Sequence, residues 1–205
     1  AFKLQQPTTI NVKREKENLN GVNPKFEIRD SAGVKWGVKM GDEARPEVAA
    51  GRLVIPANIR HIELEPAAVG RAVRCKINAN IGTSPHDVDL EKETAKLEAA
   101  LKYGADAVMD LSTGGNLDEI RAALLGQCPV PFGTVPIYHV MTEAKTLEEV
   151  KGDWFLDMVH HHAKQGVDFV TVHCGVTRAA IPMLKKRVTG VVSRGGSFLV
   201  AWMRC

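Results

Sequence analysis

The chain has 205 residues, of which 44% are hydrophobic and 25% charged, an ordinary globular composition. Its 27 Lys and Arg against 24 Asp and Glu leave a formal net charge of +3, which excludes a strongly basic nucleic-acid binder of the usual kind. No run nears the roughly 18 apolar residues that span a membrane, and the first residues, AFKLQQPTTINVKREKEN, hold no apolar signal core; a soluble, cytoplasmic protein without a membrane or nucleic-acid partner is expected.

Residues 1–48 read as a separate N-terminal segment. Within it, residues 11–20 (NVKREKENLN) have no apolar stripe and predict a solvated linker or a frayed helix. Phe26 and Ile28, then Val34, Trp36, Val38 and Met40, alternate on either side of Ser31-Ala32-Gly33, the signal of a β-hairpin.

From residue 49 onward strands and helices alternate. Strands are predicted at 75–81, 105–113, 131–138 and 168–173, and VVSRGGS opens a fifth unit. Helices are predicted at 89–103, where Leu90, Leu97 and Leu101 form a stripe ahead of Gly104, then at 117–126 and 154–165, near 178–187, and from FLVAWMRC. Repeated βα units demand a parallel sheet with right-handed crossovers. Eight units need roughly 250 residues. The expectation is therefore an α/β fold: a partial (β/α)8 TIM-type barrel of about five βα units at 49–205, preceded by the hairpin segment.

The cysteines Cys75, Cys128, Cys174 and Cys205 are spaced 53, 46 and 31 residues apart. No C-x-x-C occurs, so the usual zinc and iron–sulfur loop spacings are absent. Cys75 and Cys174 sit in apolar runs and are expected to be buried thiols; Cys205 is free to be exposed. His160, His161 and His162 point around one helix and are expected to form a solvated or half-buried face, not a joint metal site. His61 falls in a loop ahead of the barrel.

Parallel βα folds carry function at the carboxyl ends of their strands. Those ends are predicted at Asn78–Gly82, Met109–Gly115, Ile137–His139, His173–Gly175 and Ser193–Ser197. SRGGS, between a strand and a helix, reads as a phosphate cradle or as an ordinary glycine turn. DLSTGG reads as a second anion nest or as a capping turn before Leu117. His173 and Tyr138 end predicted strands. Met109 reads as core and Asp110 as a structural acceptor.

Six blocks, IPANIRHIELEP, KINANIGTSP, GADAVMDLSTGGNLDEIR, PVPFGTVPIY, GVDFVTVHCGV and RVTGVVSRGGS, resemble the phosphomethylpyrimidine synthase family, in order, from about Gly51 to Met203. The resemblance implies a (βα)8 barrel that rearranges 5-aminoimidazole ribotide in thiamine biosynthesis, as a carbon–carbon lyase using S-adenosylmethionine and a [4Fe–4S] cluster. It also implies substrate contacts at Asn80, Met109, Tyr138, His173, Ser193, Arg194 and Gly195, the last three near the ribotide phosphate. The family's C-x-x-C-x-x-x-x-C, DGLRPG and EGPGH motifs and its metal-binding histidines do not occur in these 205 residues, and Cys174 stands where members often carry Ala. The expected chain is a substrate wall without the radical machinery, inactive alone, with a second copy or another partner completing the barrel. The related 5-hydroxybenzimidazole synthases share these blocks, and a non-catalytic binding or interaction role is the reading from another class.

Overall fold

Four parallel strands form the main sheet of the computed structural model, which describes Arg14–Glu15, Glu27–Arg29, Lys35–Val38 and residues 44–205. The first three segments are β1 (Arg14–Glu15), β2 (Glu27–Arg29) and β3 (Lys35–Val38), an antiparallel sheet ordered β1-β3-β2. Ile28 pairs with Trp36, so the two strands of the expected hairpin are present. Its turn, Ser31–Gly33, lies outside the described residues. The stretch read as linker or frayed helix supplies β1, with Arg14 opposite Val38 and Glu15 opposite Gly37. Backbone groups make that ladder, so it forms without the apolar stripe the stretch lacks. The remainder of 11–20 lies outside the described residues.

Helix α1 (Ala44–Ala49) leads to an antiparallel ribbon of β4 (Leu53–Val54) and β5 (Val69–Gly70), each too short to carry a period-two signal. Gly70 is required there, because a Cβ on it would lie 2.4 Å from the Arg52 carbonyl oxygen.

The βα units follow. Strand β6 (Asn78–Ile81) precedes α2 (Leu90–Lys102), β7 (Ala107–Asp110) precedes α3 (Leu117–Leu125), and β8 (Phe132–Thr134) precedes α4 (Pro136–Glu143). Next come α5 (Gly152–Gln165), β9 (Phe169–Val170) and α6 (Arg194–Trp202), with 3-10 turns at Leu147–Glu149 and Arg178–Lys186. The sheet runs β6-β7-β8-β9, parallel throughout. Asp89 and Asn116 start α2 and α3 by accepting from the backbone N–H groups of Lys92 and Glu119. The core beneath the sheet gathers Leu97, Val108, Leu124, Cys128 and Phe132, all essentially unexposed.

Three expectations are corrected. Residues 131–138 are not one strand: β8 stops at Thr134 and Pro136 opens α4, placing Tyr138 and His139 on a helix. Proline suits a first helical position, where its fixed φ fits and its missing N–H has no helical acceptor. The strand expected at 168–173 is laddered only at Phe169–Val170, with Thr171 adding one bond to the Thr134 carbonyl. No fifth strand forms among the described residues: 187–193 are irregular, and α6 starts at Arg194. A strand needs a ladder partner, and β9 offers only two residues before the chain turns away. The architecture is an α/β fold of alternating units around a parallel four-stranded sheet, consistent with part of a TIM-type barrel, and it does not close. No described helix is long and apolar enough to cross a membrane.

The amino ends of β8 and β9 are pinned by one buried carboxylate. Asp168 Oδ1 accepts from the Asn58 backbone N–H (2.7 Å), and Oδ2 accepts from His61 Nδ1 (2.6 Å) and the Phe132 backbone N–H (2.8 Å). The other His61 nitrogen, Nε2, donates to the Cys128 carbonyl at 2.7 Å. His61 therefore lies in the loop expected for it, but buried. Asn58 Nδ2 adds bonds to the Ala163 and Val167 carbonyls.

A second buried network lies between the sheet and helices α3, α4 and α5. His162 Nδ1 is 2.8 Å from Thr134 Oγ1, and His162 Nε2 is 3.0 Å from His139 Nδ1. Burial, helped by Arg121, His139 and His161 and opposed by Asp118, pushes His162 down to about 2. An unfolded histidine titrates near 6.5, so the unfolded chain takes up a proton that native His162 refuses. The folded state therefore loses stability as pH falls through that value toward 2.

Asp168→Asn is expected to destabilise the fold by about 1–3 kcal/mol, since the amide puts an N–H donor where the buried carboxylate accepts; a urea midpoint equal to wild type would refute this pin. His162→Gln is expected to flatten a decline on the order of 1 kcal/mol per pH unit below about pH 6. Urea unfolding across that range, with equal slopes for both proteins, would count against the assignment.

Candidate substrate site

Side chains alternate across a strand, so the main sheet has two chemically distinct faces. Val108 and Asp110 of β7 are buried, whereas Ala107 and Met109 are half-buried on the opposite face. Register puts Asn80, Met109, Gly133 and Phe169 in one row on that second face. Gly133 is glycine because the Phe169 ring covers it; a Cβ there would collide with ring carbons. Asn80 is exposed and its Oδ1 accepts from Asn78 Nδ2 at 2.8 Å. The Thr171 hydroxyl donates to Met109 Sδ at 3.5 Å, so Met109 is a half-buried residue of this face and not a core residue.

The loops after β6 and β7 are tied together at the carboxyl end. Thr83 N–H donates to Ser112 Oγ (3.0 Å) and Thr83 Oγ1 to the Gly114 carbonyl (2.7 Å). A Cβ at Gly114 would strike the Ser84 backbone at 2.4 Å, and Gly115 takes φ +82° against Val88. These glycines serve close backbone approach, and Asn116 caps α3, which favours the capping-turn reading of DLSTGG. Asp110 accepts from the Ser112 N–H at 2.9 Å, the structural role expected of it, and burial raises its pKa.

The remaining candidates meet at α6. Ser193 caps the helix, its Oγ accepting from the Gly196 N–H at 3.2 Å. His173 Nε2 lies 2.9 Å from the same Oγ. The His173 ring sits directly over Gly195, where any Cβ would overlap it. His173 Nδ1 is buried with no hydrogen-bond partner among the described residues. The Arg194 guanidinium lies 5.8 Å from the Tyr138 ring centroid and reaches Thr113 Oγ1 at 3.5 Å. Phe198, one turn further along α6, meets the Tyr138 ring edge-on at 6.2 Å.

The fold thus gathers Tyr138, His173, Ser193, Arg194 and Gly195 around the start of α6 and sets Asn80 and Met109 in the neighbouring register row. Tyr138 reaches this group from a helix, not from a strand end. Sequence reasoning did not single out Thr171 or Phe198. Both had a signal: Thr171 shares the period-two face of His173, and Phe198 lies four residues after Arg194 on one helix. The arrangement offers hydroxyl, imidazole and guanidinium groups beside a helix N-terminus, whose first-turn N–H groups lack intrahelical acceptors, a combination suited to an anionic, polar small molecule.

The histidine run behaves otherwise than expected. His162 is fully buried rather than solvated or half-buried, whereas His161 is half-exposed and bonds Asp118. The cysteines are also redistributed. Cys75 and Cys174 are exposed, and Cys128 is the buried thiol, donating to the Val130 carbonyl and pushed up to about 11 by burial. Apolar flanks did not bury Cys75 and Cys174 because they lie outside the regular ladders, where alternation no longer sets direction.

A family model described as the radical SAM ThiC family matches residues 32–205. That span takes in β3 and the whole βα region, and the chain belongs to the radical SAM ThiC family.

Proposed function

We propose that this chain carries the phosphate-end substrate wall for the synthesis of the thiamine pyrimidine, binding 5-aminoimidazole ribotide across the second face of the sheet. Ser193, Arg194 and Gly195, with the N–H groups opening α6, would hold the phosphate; Asn80, Met109, Tyr138 and His173 would line the ribose and imidazole. The observation that carries this reading is the buried, unpartnered His173 Nδ1 beside the Ser193–Gly195 turn. A buried polar atom left unbonded is costly, and a bound polar ligand would satisfy it. Membership of the family supports the pathway assignment.

The family's radical chemistry relies on an iron–sulfur cluster and S-adenosylmethionine. The cysteines described here do not fit a three-thiolate cluster: Cys128 is buried and bonded to a carbonyl, and Cys75, Cys174 and Cys205 are exposed and do not converge with other ligand types. What these residues do is bind and orient. Arg194 is braced by Tyr138 and Thr113, and His173 is set by Ser193 and by its seat on Gly195. The open edges of β6 and β9 favour a second copy or another chain completing the barrel around the bound ribotide.

Calorimetric titration of the 205-residue chain with 5-aminoimidazole ribotide is expected to show saturable binding. Arg194→Ala should weaken it about tenfold or more, the worth of a charge-assisted hydrogen bond. Gly195→Ala should weaken it comparably with unfolding unchanged, because its Cβ displaces the His173 ring. Wild-type affinity no better than that for inorganic phosphate, or an unaffected Arg194→Ala variant, would overturn the reading. Anaerobic incubation of this chain with S-adenosylmethionine and reductant is expected to yield no pyrimidine phosphate; product would refute the separation of binding from chemistry.

A further inference from the structure

We propose that Asp118, His139 and His161 form a binding site for a divalent transition-metal ion on the helical layer, separate from the substrate face. The three residues come from three helices, α3, α4 and α5, and one ligand atom from each lies within 4.8 Å of the others. His161 Nε2 is 2.9 Å from both Asp118 carboxylate oxygens, and His139 Nδ1 is 3.9 Å from Asp118 Oδ1. Donor atoms around a tetrahedral ion with bonds of about 2.0–2.1 Å sit roughly 3.4 Å apart. Small side-chain adjustments therefore bring this set to bonding geometry.

The surroundings fit an ion. An open cavity of about 570 Å³ adjoins the cluster, lined in part by Asp118, Glu143, Asp157, His160 and His161. Glu143 is 3.3 Å from His139 Nε2 and is placed to supply a fourth donor. Three carboxylates, from Asp118, Glu143 and Asp157, face the positive charges of Arg121 and Lys164, which leaves the rim net negative. The ion would take His139 through Nε2, because Nδ1 is 3.0 Å from His162 Nε2, in a hydrogen-bonded relay with the Thr134 hydroxyl that holds the imidazole from behind. Such outer partners orient ligating histidines in metal sites.

Two imidazoles and a carboxylate select for zinc, cobalt, nickel or iron over magnesium or calcium, which prefer oxygen donors alone. In the unloaded protein the His161 N–H bonds the Asp118 carboxylate, and the ion would take the place of that proton. The His160–His162 run does not ligate as a unit. Only His161 joins the set, and His139 reaches it from a different helix. The residues proposed to bind substrate gather at the start of α6 and on the other face of the sheet, and the two sites adjoin at α4, where Tyr138 precedes His139.

The test is a cobalt(II) titration of the full chain carrying Cys75→Ser, Cys174→Ser and Cys205→Ser, which removes the exposed thiols as competitors. One equivalent is expected to bind with the visible absorption of a low-coordinate cobalt site and to be displaced by zinc. His161→Gln and Asp118→Asn should each weaken binding by about tenfold or more, while His160→Gln, on the same cavity, leaves it unchanged. His161 is half-exposed, so its variant keeps the fold, which circular dichroism checks. Absence of saturable binding, equal loss in His160→Gln, or no loss in His161→Gln would overturn the site.

Discussion

Asp168 stands between α5 and β9 and accepts three N–H groups with a side chain that has no solvent exposure. One of those donors belongs to the loop at Asn58, one to the His61 ring and one to the first residue of β8. A buried carboxylate is stable only when charge and hydrogen bonds compensate it. Its partners therefore have to be in place together, and the loop that runs from Pro56 to Pro66 is held against the amino ends of β8 and β9. With those ends pinned, the carboxyl ends of the same strands are free to present polar groups.

From that pin outward, alternation along β8 divides the molecule's chemistry. Gly133 faces the side of Asn80 and Met109, where the lack of a side chain admits the Phe169 ring. Thr134, its neighbour, faces the helices and bonds His162. A step of one residue separates the face of Asn80 and Met109 from a buried polar network.

The candidate site is built largely by close approach. His173 sits on Gly195, Phe169 on Gly133, and Gly114 lies against Ser84. At each place a methyl group would force backbone or ring to move. The helical side is built by electrostatics instead: Asp118 holds Arg121 and His161, and Arg121 faces His139. Burial keeps His162 neutral, so that network is uncharged at its deepest point and charged toward the cavity.

The βα order, the helix starts at Asp89 and Asn116, the pairing of Ile28 with Trp36 and the family blocks were all legible from residues alone. Each rests on a local rule: a period, a cap, or a string of neighbours. The positions of Asn80 and Met109 on their strands were legible for the same reason, whereas Arg194, expected at the end of a fifth strand, opens α6 instead. Local rules did not reveal that Tyr138 lies on a helix opened by Pro136, that Cys75 and Cys174 are exposed, that His162 is buried, or that 187–193 form no strand. Those outcomes depend on what packs on the far side of each residue. The meeting of Asp118, His139 and His161 is the plainest case: residues 21 to 43 positions apart in the chain are brought together by three helices, and only the distances between packed helices decide whether their ligand atoms can share one ion.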